Sequence, residues 1–429
     1  MLDIKFVIEN PNAVKKDLQK RGDSEKIKWL DEIIDNTSQI KEIRAEEELL
    51  RKKRNEISKS INSAKKEGKD AKKFIDEAAQ IPKEIARKDE TLKEIEDRNR
   101  YLLMRIPNIL HESVPVGKDS SENVEVRKWG SIKKPGFELK PHGELAEELR
   151  IADFKTATMV SGSGFVYVKG ALALLDLSLQ RFAIDHLIKK GFTLIEPPLM
   201  VGREAYEGVT SLDDFQNVMY KIDGEDMYLI ATSEHPIVAM HKDSVIDEKE
   251  LPLRYVGVSP CFRREIGSHG VDTRGFFRMH QFNKVEQVVF CLPEDSWKIH
   301  EEIQHNTEEL LQALEIPYHV VNICTGDIGI VAAKKYDIEA WFPREGKYAE
   351  VTSCSNCTSY QAVRSNIKYR KADGTKEYLH TLNNTGLATS RIIRAILENY
   401  QNEDGSITVP KVLLPYMNGI TKIGPKKLN

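Results

Sequence analysis

The chain is 429 residues long, 40% apolar and 31% charged, with a formal net charge of −3. That length corresponds to about two to three domains with ample core-forming residues, and the near-neutral balance excludes a general polycation, so any nucleic-acid contact has to be a local patch. No apolar run of about 18 residues exists, the start MLDIKFVIENPNAVKK is unlike a secretory leader, and Cys261, Cys291, Cys324, Cys354 and Cys357 are sparse and odd in number; together these predict a cytoplasmic protein with reduced thiols and no membrane partner.

Residues 1–25 read as a short helix set between Asn10–Pro11 and the break at Arg21–Gly22. From 26 to 66 the chain is charged and free of Gly and Pro, with Ile33, Ile40, Ile43, Leu50, Ile57, Ile61 and Ala64 near the helical repeat. After the tip KKEGKDAKK, a second helix carries Phe74, Ala78, Ile81, Ile85, Lys88, Leu92, Ile95, Asn99 and Leu102, spaced alternately four and three as in a heptad seam. An antiparallel coiled-coil hairpin over about 26–102 is the prediction. Pro82 should kink the second helix or mark where it effectively begins, because a proline inside a helix costs about 3 kcal/mol. Such a hairpin suits a dimerisation or spacer rod. Its charge argues for more: twelve basic and seven acidic residues between Lys41 and Lys73 leave +5 on the distal half of a chain whose net charge is −3. A basic rod on a near-neutral body is a footprint for a phosphate backbone.

The stretch IPNILHESVPVGKDSSENVEVRKWG reads as a linker, HGELAEELRIADF as a helix, and ALALLDLSLQRFAIDHLIKKG as an amphipathic helix closed by Gly191. SGSGFVYVKG lacks the Gly-Lys-Ser/Thr ending of a phosphate loop. FTLIEPPLM is a strand interrupted by Pro197 and Pro198. MYLIATSEHPIVAMH sets Thr232, Ser233 and Glu234 at a strand end, where loops carry function, and leaves His235 as a packed residue.

Cys261–Phe290 reads as strand, glycine loop (Gly267, Gly270, Gly275) and strand. In the second strand Phe276, Arg278, His280, Phe282, Lys284, Glu286, Val288 and Phe290 share one face; Phe277, Met279, Gln281, Val285 and Val289 share the other. Arg263, Arg264 and Arg274 add guanidinium forks suited to phosphate oxygens, and Phe282 an aromatic face suited to a base. The same alternation would also serve a solvated amphipathic strand. Residues 294–314 read as a helix, YHVVNIC and KKYDIEAWFP as strands, and TLNNTGLATSRIIRAILENYQ as a turn followed by a helix burying Ile392, Ile393, Ile396, Leu397 and Tyr400. Arg391 lies near that helix start, a position that favours anions. Cys354-Ser-Asn-Cys357 supplies two thiols, but a zinc site needs four ligands and no second pair exists, so structural thiols are expected and no zinc.

Read together, ATSEH, FRREIGSHGVDTRGFFRMHQFNKVEQ, AEVTSCSNC and LNNTGLATSRIIRAILENYQ resemble, in this order, the motifs of the class II aminoacyl-tRNA synthetases, and within that class the seryl-tRNA synthetase family in its conventional, non-zinc form. Thr-Ser-Glu-His in place of a Thr-Ala-Glu form is more similar to the archaeal and eukaryotic branch. The resemblance implies an α+β fold: a coiled-coil tRNA-binding arm over 1–105, then a catalytic domain over 106–429 with an antiparallel sheet flanked by helices. It implies an ATP-dependent serine–tRNA ligase acting on tRNASer, with tRNASec left open as a further substrate, and a homodimer built through the helix and strand of 171–200.

The roles the resemblance implies follow residue by residue. Arg263 would hold the α-phosphate and the serine carboxylate. Arg264, Glu265, Met279 and Phe282 would bind ATP, with Phe282 on adenine and Glu265 at the adenine or ribose edge. Glu350, Val351, Thr352 and Ser353 would line the ATP site, Glu350 and Ser353 as Mg²⁺ ligands. Arg391 would clamp the γ-phosphate, and Arg263, Glu350 and Arg391 form the catalytic set. Thr232, Ser233, Glu234, Glu286, Asn383 and Thr385 would hold serine with Arg263. Arg51, Lys52, Lys53 and Arg54 would touch tRNA. Two other readings stay open at this point, a catalytically dead RNA- or ATP-binding paralogue and a rod-like interaction protein; Arg263, Glu350 and Arg391 count against both.

Overall fold

The computed structural model describes residues 1–210, 218–265 and 275–424. The chain divides into two compact units, Met1–Pro107 and Asn108–Asn429. The first is helical: α1 (Ile4–Glu9), α2 (Pro11–Lys20), α3 (Ser24–Lys66) and α4 (Lys72–Leu103). Asp3 and Asp23 cap α1 and α3 by accepting the backbone N–H groups of Lys5 and Lys26, and Pro11 opens α2 where its missing N–H is no loss.

Helices α3 and α4 run antiparallel, as their cross-links show: Glu32–Arg98 at 2.6 Å, Arg44–Glu96 at 2.6 Å and Lys53–Glu77 at 2.8 Å. Ile33, Ile57 and Ala64 of α3 and Ile81 and Leu102 of α4 are buried along the seam. Two polar features interrupt it. Glu47 is buried, and Asn99 bonds to Asn36 (3.0 Å) and Thr37 (3.2 Å). A paired polar layer of this kind fixes register, since any slip leaves buried amides without partners.

Two arm expectations need correcting. Helix α4 begins at Lys72 and continues through Pro82 rather than starting there; Pro82 is exposed, so water can reach the carbonyl its ring leaves unbonded. Phe74 is exposed rather than on the seam. Near the tip the buried side chains are instead the small ones of Ala64 and Ala71.

The second unit is built on one eight-stranded sheet. In chain order its strands are β1 (Val124–Trp129), β2 (Thr193–Ile195), β3 (Leu253–Phe262), β4 (Gln281–Cys291), β5 (Tyr318–Asn322), β6 (Lys334–Phe342), β7 (Lys347–Asn356) and β8 (His380–Ala388). Their order across the sheet is β1-β5-β6-β7-β8-β4-β3-β2, antiparallel except for the β2–β3 pair. The helices of this unit among the described residues are α5 (His142–Glu148), α6 (Phe154–Ser161), α7 (Ala171–Lys189), α8 (Arg203–Val209), α9 (Glu234–Ala239), α10 (Ser296–Ala313), α11 (Tyr360–Ser365) and α12 (Thr389–Asn399).

Strand β4 shows how the sequence places the site. Its odd positions Val285 and Val289 join the main core with Leu175 and Leu179 of α7, Ile303 of α10, Ile338 of β6 and Ile392 of α12. Its even positions divide: Val288 and Phe290 pack in a smaller cluster with Ile237 of α9 and Ala362 of α11, while Phe282, Lys284 and Glu286 face a cavity. One strand therefore anchors the core with one face and carries chemistry on the other.

Four sequence expectations for this unit differ from the structure. The stretch 106–130 is not all linker: Val124–Trp129 is edge strand β1, whose six exposed residues bury no face and whose Val124/Val126 alternation is too short to stand out among the turn formers around it. The helix expected over 142–154 ends at Glu148, where Arg150 turns to positive φ and a new helix starts at Phe154. TLNNTGLA is central strand β8, not a turn; the Asn384 amide N–H₂ group donates to the Ile303 carbonyl (2.6 Å) and Thr307 Oγ1 (2.9 Å), so its donors find partners inside the fold. The expected strand start at Phe276 moves to Gln281. Phe276 enters the main core instead, its N–H donating to His142 Nε2 (3.2 Å), and His280 stacks on Phe165 at 5.1 Å while bonding Tyr220. Gly267, Gly270 and Arg274 lie outside the described residues.

Candidate active site

The even face of β4 forms one wall of a cavity of about 640 Å³, closed by β6, β7, β8 and the starts of α9, α11 and α12. Strand register decides which side chains meet there. Glu286 stands opposite Thr385 across β4–β8, just before a bulge at Gly386. Asp337 stands opposite Ser353, and Lys335 opposite Ser355, across β6–β7; a second bulge between Ile338 and Glu339 leaves Val351 unpaired. Gly257 of β3 pairs with Glu286, and a Cβ there would lie 2.6 Å from Ser233 Oγ, so only glycine lets the 232–234 turn sit on the strand.

One end of the cavity is a buried polar nest. Glu286 is fully buried; its Oε1 accepts from Asn383 (3.1 Å), and its Oε2 from Thr385 Oγ1 (3.1 Å) and Lys284 Nζ (2.7 Å). Glu234 is close by, turned by the bond from its own N–H to Thr232 Oγ1 (3.2 Å), and it accepts from Gln361 Nε2 (2.8 Å). Burial, then the Glu286 charge, push the Glu234 carboxyl up to about 7 against the opposing pull of Gln361, Lys284 and Arg263. His235 bonds Tyr206 OH (2.8 Å); burial and the Lys284 and Arg263 charges push it down to about 3, so it is a neutral packing group.

The other end is cationic and aromatic. The Arg263 guanidinium lies 5.3 Å from the centre of the Phe282 ring, and Arg391 lies 5.1 Å from that of Phe277. Arg391 Nη1 reaches both the Glu350 carbonyl oxygen and its Oε1. Burial raises the Glu350 carboxyl, but the Arg391, Lys335 and Arg263 charges outweigh it and hold Glu350 below the usual range. Asp337 behaves oppositely: burial and the Glu350 charge, opposed by Lys335, push it up to about 7.

Of the residues expected from sequence, Thr232, Glu234, Arg263, Glu265, Met279, Phe282, Glu286, Glu350, Val351, Thr352, Ser353, Asn383, Thr385 and Arg391 all line this one cavity. Ser233 and Arg264 do not: Ser233 is turned against Gly257, and Arg264 is exposed, its N–H donating to the Val218 carbonyl (2.7 Å). Glu265 sits at φ +46, which bends the chain away from β3. The structure adds Lys284, Lys335 and Gln361 to the lining, with Asp337 behind Lys335 at 3.5 Å. Lys284 was findable, two residues before Glu286 on the same strand face, and so was the Lys335/Asp337 spacing in KKYDIEAW. Gln361 had no sequence signal.

The cavity supplies guanidinium forks, an aromatic face, a hard-oxygen pair and a nest for a small polar molecule, and among the described residues that line it there is no nucleophile triad. Set on an antiparallel sheet, this is a class II aminoacyl-tRNA synthetase catalytic domain, and the family profile "tRNA synthetase class II core domain (G, H, P, S and T)" matches residues 218–400. The profile "Seryl-tRNA synthetase N-terminal domain" matches residues 1–110. The chain is 58% identical to the serine–tRNA ligase of Methanocella arvoryzae over 98% of its own length and 99% of the relative's. It superposes on seryl-tRNA synthetase from Pyrococcus horikoshii complexed with ATP with a TM-score of 0.94 at 49% identity, covering 100% of both chains. On the cytoplasmic serine–tRNA ligase of Naegleria fowleri in complex with AMP the TM-score is 0.90 at 34% identity, covering 100% of this chain and 99% of that one. The chain belongs to the seryl-tRNA synthetase family, the serine–tRNA ligases of class II.

Proposed function

We propose that this enzyme activates L-serine with ATP and transfers it to tRNASer, using the cavity on the even face of β4. The observation that carries the reading is the Glu286 nest: a fully buried carboxylate with three donors from Asn383, Thr385 and Lys284, next to a second carboxylate, Glu234. Two carboxylates suit an ammonium, and a nest of hydroxyl, amide and carboxylate suits a hydroxymethyl group. A pocket of this kind rejects alanine, because a missing hydroxyl leaves buried polar groups unpaired.

In the first step an oxygen of the serine carboxylate attacks the α-phosphorus of ATP and pyrophosphate leaves. In the second a terminal ribose hydroxyl of tRNA attacks the seryl carbonyl and AMP leaves. Positioning and charge stabilisation carry such transfers. Arg263, at the junction of the two ends of the cavity, orients the serine carboxylate against the α-phosphate. Phe282, whose ring already lies beside the Arg263 guanidinium, stacks on adenine, with Met279 beside it and Glu265 at its edge. Arg391, backed by Phe277 and Glu350, holds the γ-phosphate.

The donors present fit Mg²⁺. Glu350, kept ionised by its cationic neighbours, and the Ser353 hydroxyl are hard oxygens on one strand, and Asp337 Oδ1 behind them is buried without a hydrogen-bond partner. Bound there with substrate phosphates, the ion would neutralise phosphate charge. No zinc is assigned to Cys354 and Cys357, because two thiols fall short of the four ligands such a site needs.

A homodimer through α7 and β2 is supported by the large apolar side chains left exposed there, Leu177, Ile188 and Leu194, on the edge strand of the sheet and its neighbouring helix. The arm is assigned to tRNA on its charge and on the exposed Arg51, Lys52, Lys53 and Arg54. The testing experiment is ATP–pyrophosphate exchange with serine and alanine, followed by charging of tRNASer and tRNASec transcripts. Exchange with serine well above alanine is expected; equal rates with both overturn the assignment, and the tRNASec arm decides the breadth of the second step.

A further inference from the structure

Gln361, the second residue of α11, touches three separate elements through one amide. Its Nε2 lies 2.8 Å from Glu234 Oε1 at the start of α9 and 3.4 Å from the carbonyl oxygen of Val209, which ends α8. Its Oε1 lies 2.6 Å from the Thr381 hydroxyl on β8. The partners fix which way the amide points. Reversing it would set the amide oxygen against a carboxylate and a carbonyl, three acceptors with no donor between them. The side chain is buried, yet it lines the same cavity as Glu286 and Thr385.

We infer that Gln361 is a specificity-determining positioning residue, whose Thr381-oriented amide holds the Glu234 carboxylate as an aimed acceptor for the ammonium of the amino-acid substrate. The inference rests on the reading that serine occupies the Glu286 end of the cavity. Its logic is electrostatic. The charged and titratable groups facing Glu234 are Glu286 and Lys284 of β4, Arg263 after β3, Tyr206 of α8 and Cys357 after β7, with His235 adjoining. Burial and Glu286 push the Glu234 carboxyl up to about 7, and the Gln361 hydrogen bond is the leading influence pulling it down. Without that donor Glu234 would hold its proton to higher pH and present a neutral group to an incoming ammonium. The amide would thus set both the direction and the charge of one serine contact without touching ATP.

The test uses the full chain and three variants: Gln361→Met, which keeps the shape and removes the donor; Thr381→Val, which removes only the hydroxyl that orients the amide; and Glu286→Gln as a reference for the serine pocket. KM for serine, KM for ATP and the pH profile of kcat/KM for serine are measured in pyrophosphate exchange. In Gln361→Met at pH 7, KM for serine should rise about 10- to 100-fold, the range for losing a hydrogen bond to a charged group. KM for ATP should stay within about twofold, and the ascending limb of the serine profile should move to higher pH. Thr381→Val should move the same quantities less, and it keeps the test open if Gln361→Met does not fold. An unmoved serine KM and pH profile in both variants, or equal rises in the serine and ATP KM values, overturns the inference. If the unaltered enzyme fails to prefer serine, the proposed function itself fails. If Glu286→Gln damages serine use while Gln361→Met and Thr381→Val are silent, only this inference does.

Discussion

Glu350 meets Arg391 twice: one guanidinium nitrogen, Nη1, lies 2.8 Å from the Glu350 backbone carbonyl oxygen and 3.2 Å from its Oε1. A residue of β7 therefore fixes the first turn of α12, and the guanidinium plane is further held beside the Phe277 ring. A cation held before substrate arrives needs no reorganisation when charge develops, which is where such groups contribute most. Arg391→Ala and Arg263→Ala are each expected to lower adenylate formation by about 2–4 kcal/mol of transition-state energy. Single-turnover adenylation gives the number. A loss confined to KM for ATP, with turnover unchanged, would assign these arginines to ground-state binding instead.

The Glu286 nest makes a sharper forecast. Both carboxylate oxygens accept hydrogen bonds, from Asn383 on one side and Thr385 and Lys284 on the other. In Glu286→Gln an amide N–H must face one of those donors, and Lys284 loses its counter-charge. We expect kcat/KM for serine to fall by about 2 kcal/mol or more, with KM for ATP little changed and discrimination against alanine reduced. Parallel exchange assays with serine, alanine and varied ATP separate these. An equal loss toward ATP would place Glu286 in the frame of the site rather than in serine selection.

Glu234 ties function to stability with a definite sign. Its carboxyl is raised from 4.5 to about 7 in the folded chain. The folded state therefore holds more protons than the unfolded state between those values, and stability falls as pH rises through that window. The cost is absent below the lower value and complete above about 7, on the order of 3 kcal/mol for a shift of this size. Glu234→Gln should accordingly raise Tm at pH 8 and have little effect at pH 4, while impairing serine activation. Thermal melts of both proteins at the two pH values are the check; a Tm difference independent of pH would mean that the carboxylate carries no such strain.

Much of this site is legible in the sequence, for a physical reason. On β4 the alternation of Phe282, Lys284 and Glu286 with Val285 and Val289 separates a polar face from an apolar one, and a strand with that pattern can be placed in one way only. Legibility fails where satisfaction comes from far along the chain. Asn383 and Asn384 read as turn formers because nothing nearby reveals that Glu286 and Ile303 will accept from them. Gln361 is silent for the same reason, since its partners come from Glu234 and Thr381 on other elements. Strand β1 is silent in a different way: its Val124–Glu125–Val126–Arg127 alternation is only four residues long and marks no buried face, because the whole strand is exposed. Pro82 misleads because the helix penalty falls on a solvent-facing position, where water replaces the lost donor.

The arm offers the cleanest separation of the two chemical steps. None of the residues that line the cavity comes from the first 107 residues. Within the arm, Asn36 and Asn99 bond across the hairpin at 3.0 Å, with Thr37 in the same layer, so the two helices are already side by side there. Removing residues 38–97 and joining the ends with a short flexible linker should keep that layer and shorten the rod without unpairing its base. Serine-dependent pyrophosphate exchange should stay largely intact, because adenylation uses only small molecules. Charging of tRNASer should fall sharply, because the excised segment carries the basic stretch Lys41–Lys73, twelve basic against seven acidic residues, while the returning stretch 74–97 carries four against eight; the phosphate contacts are therefore expected on the α3 side and the tip, where counterion release supplies much of such affinity. A milder change grades the effect. Arg51, Lys52 and Lys53 are exposed and tied to Glu47 (3.7 Å), Glu48 (3.1 Å) and Glu77 (2.8 Å); with each cation at the surface such pairs are worth about 0–1 kcal/mol, so they can exchange these partners for phosphates at little cost. Neutralising Arg51, Lys52, Lys53 and Arg54 together should therefore weaken tRNA binding and flatten its dependence on salt while leaving the helix folded. The tRNA dissociation constant measured against salt for the intact, neutralised and shortened chains, beside their exchange rates, decides the matter. A shortened chain that charges tRNASer as well as the intact one would make the arm a spacer.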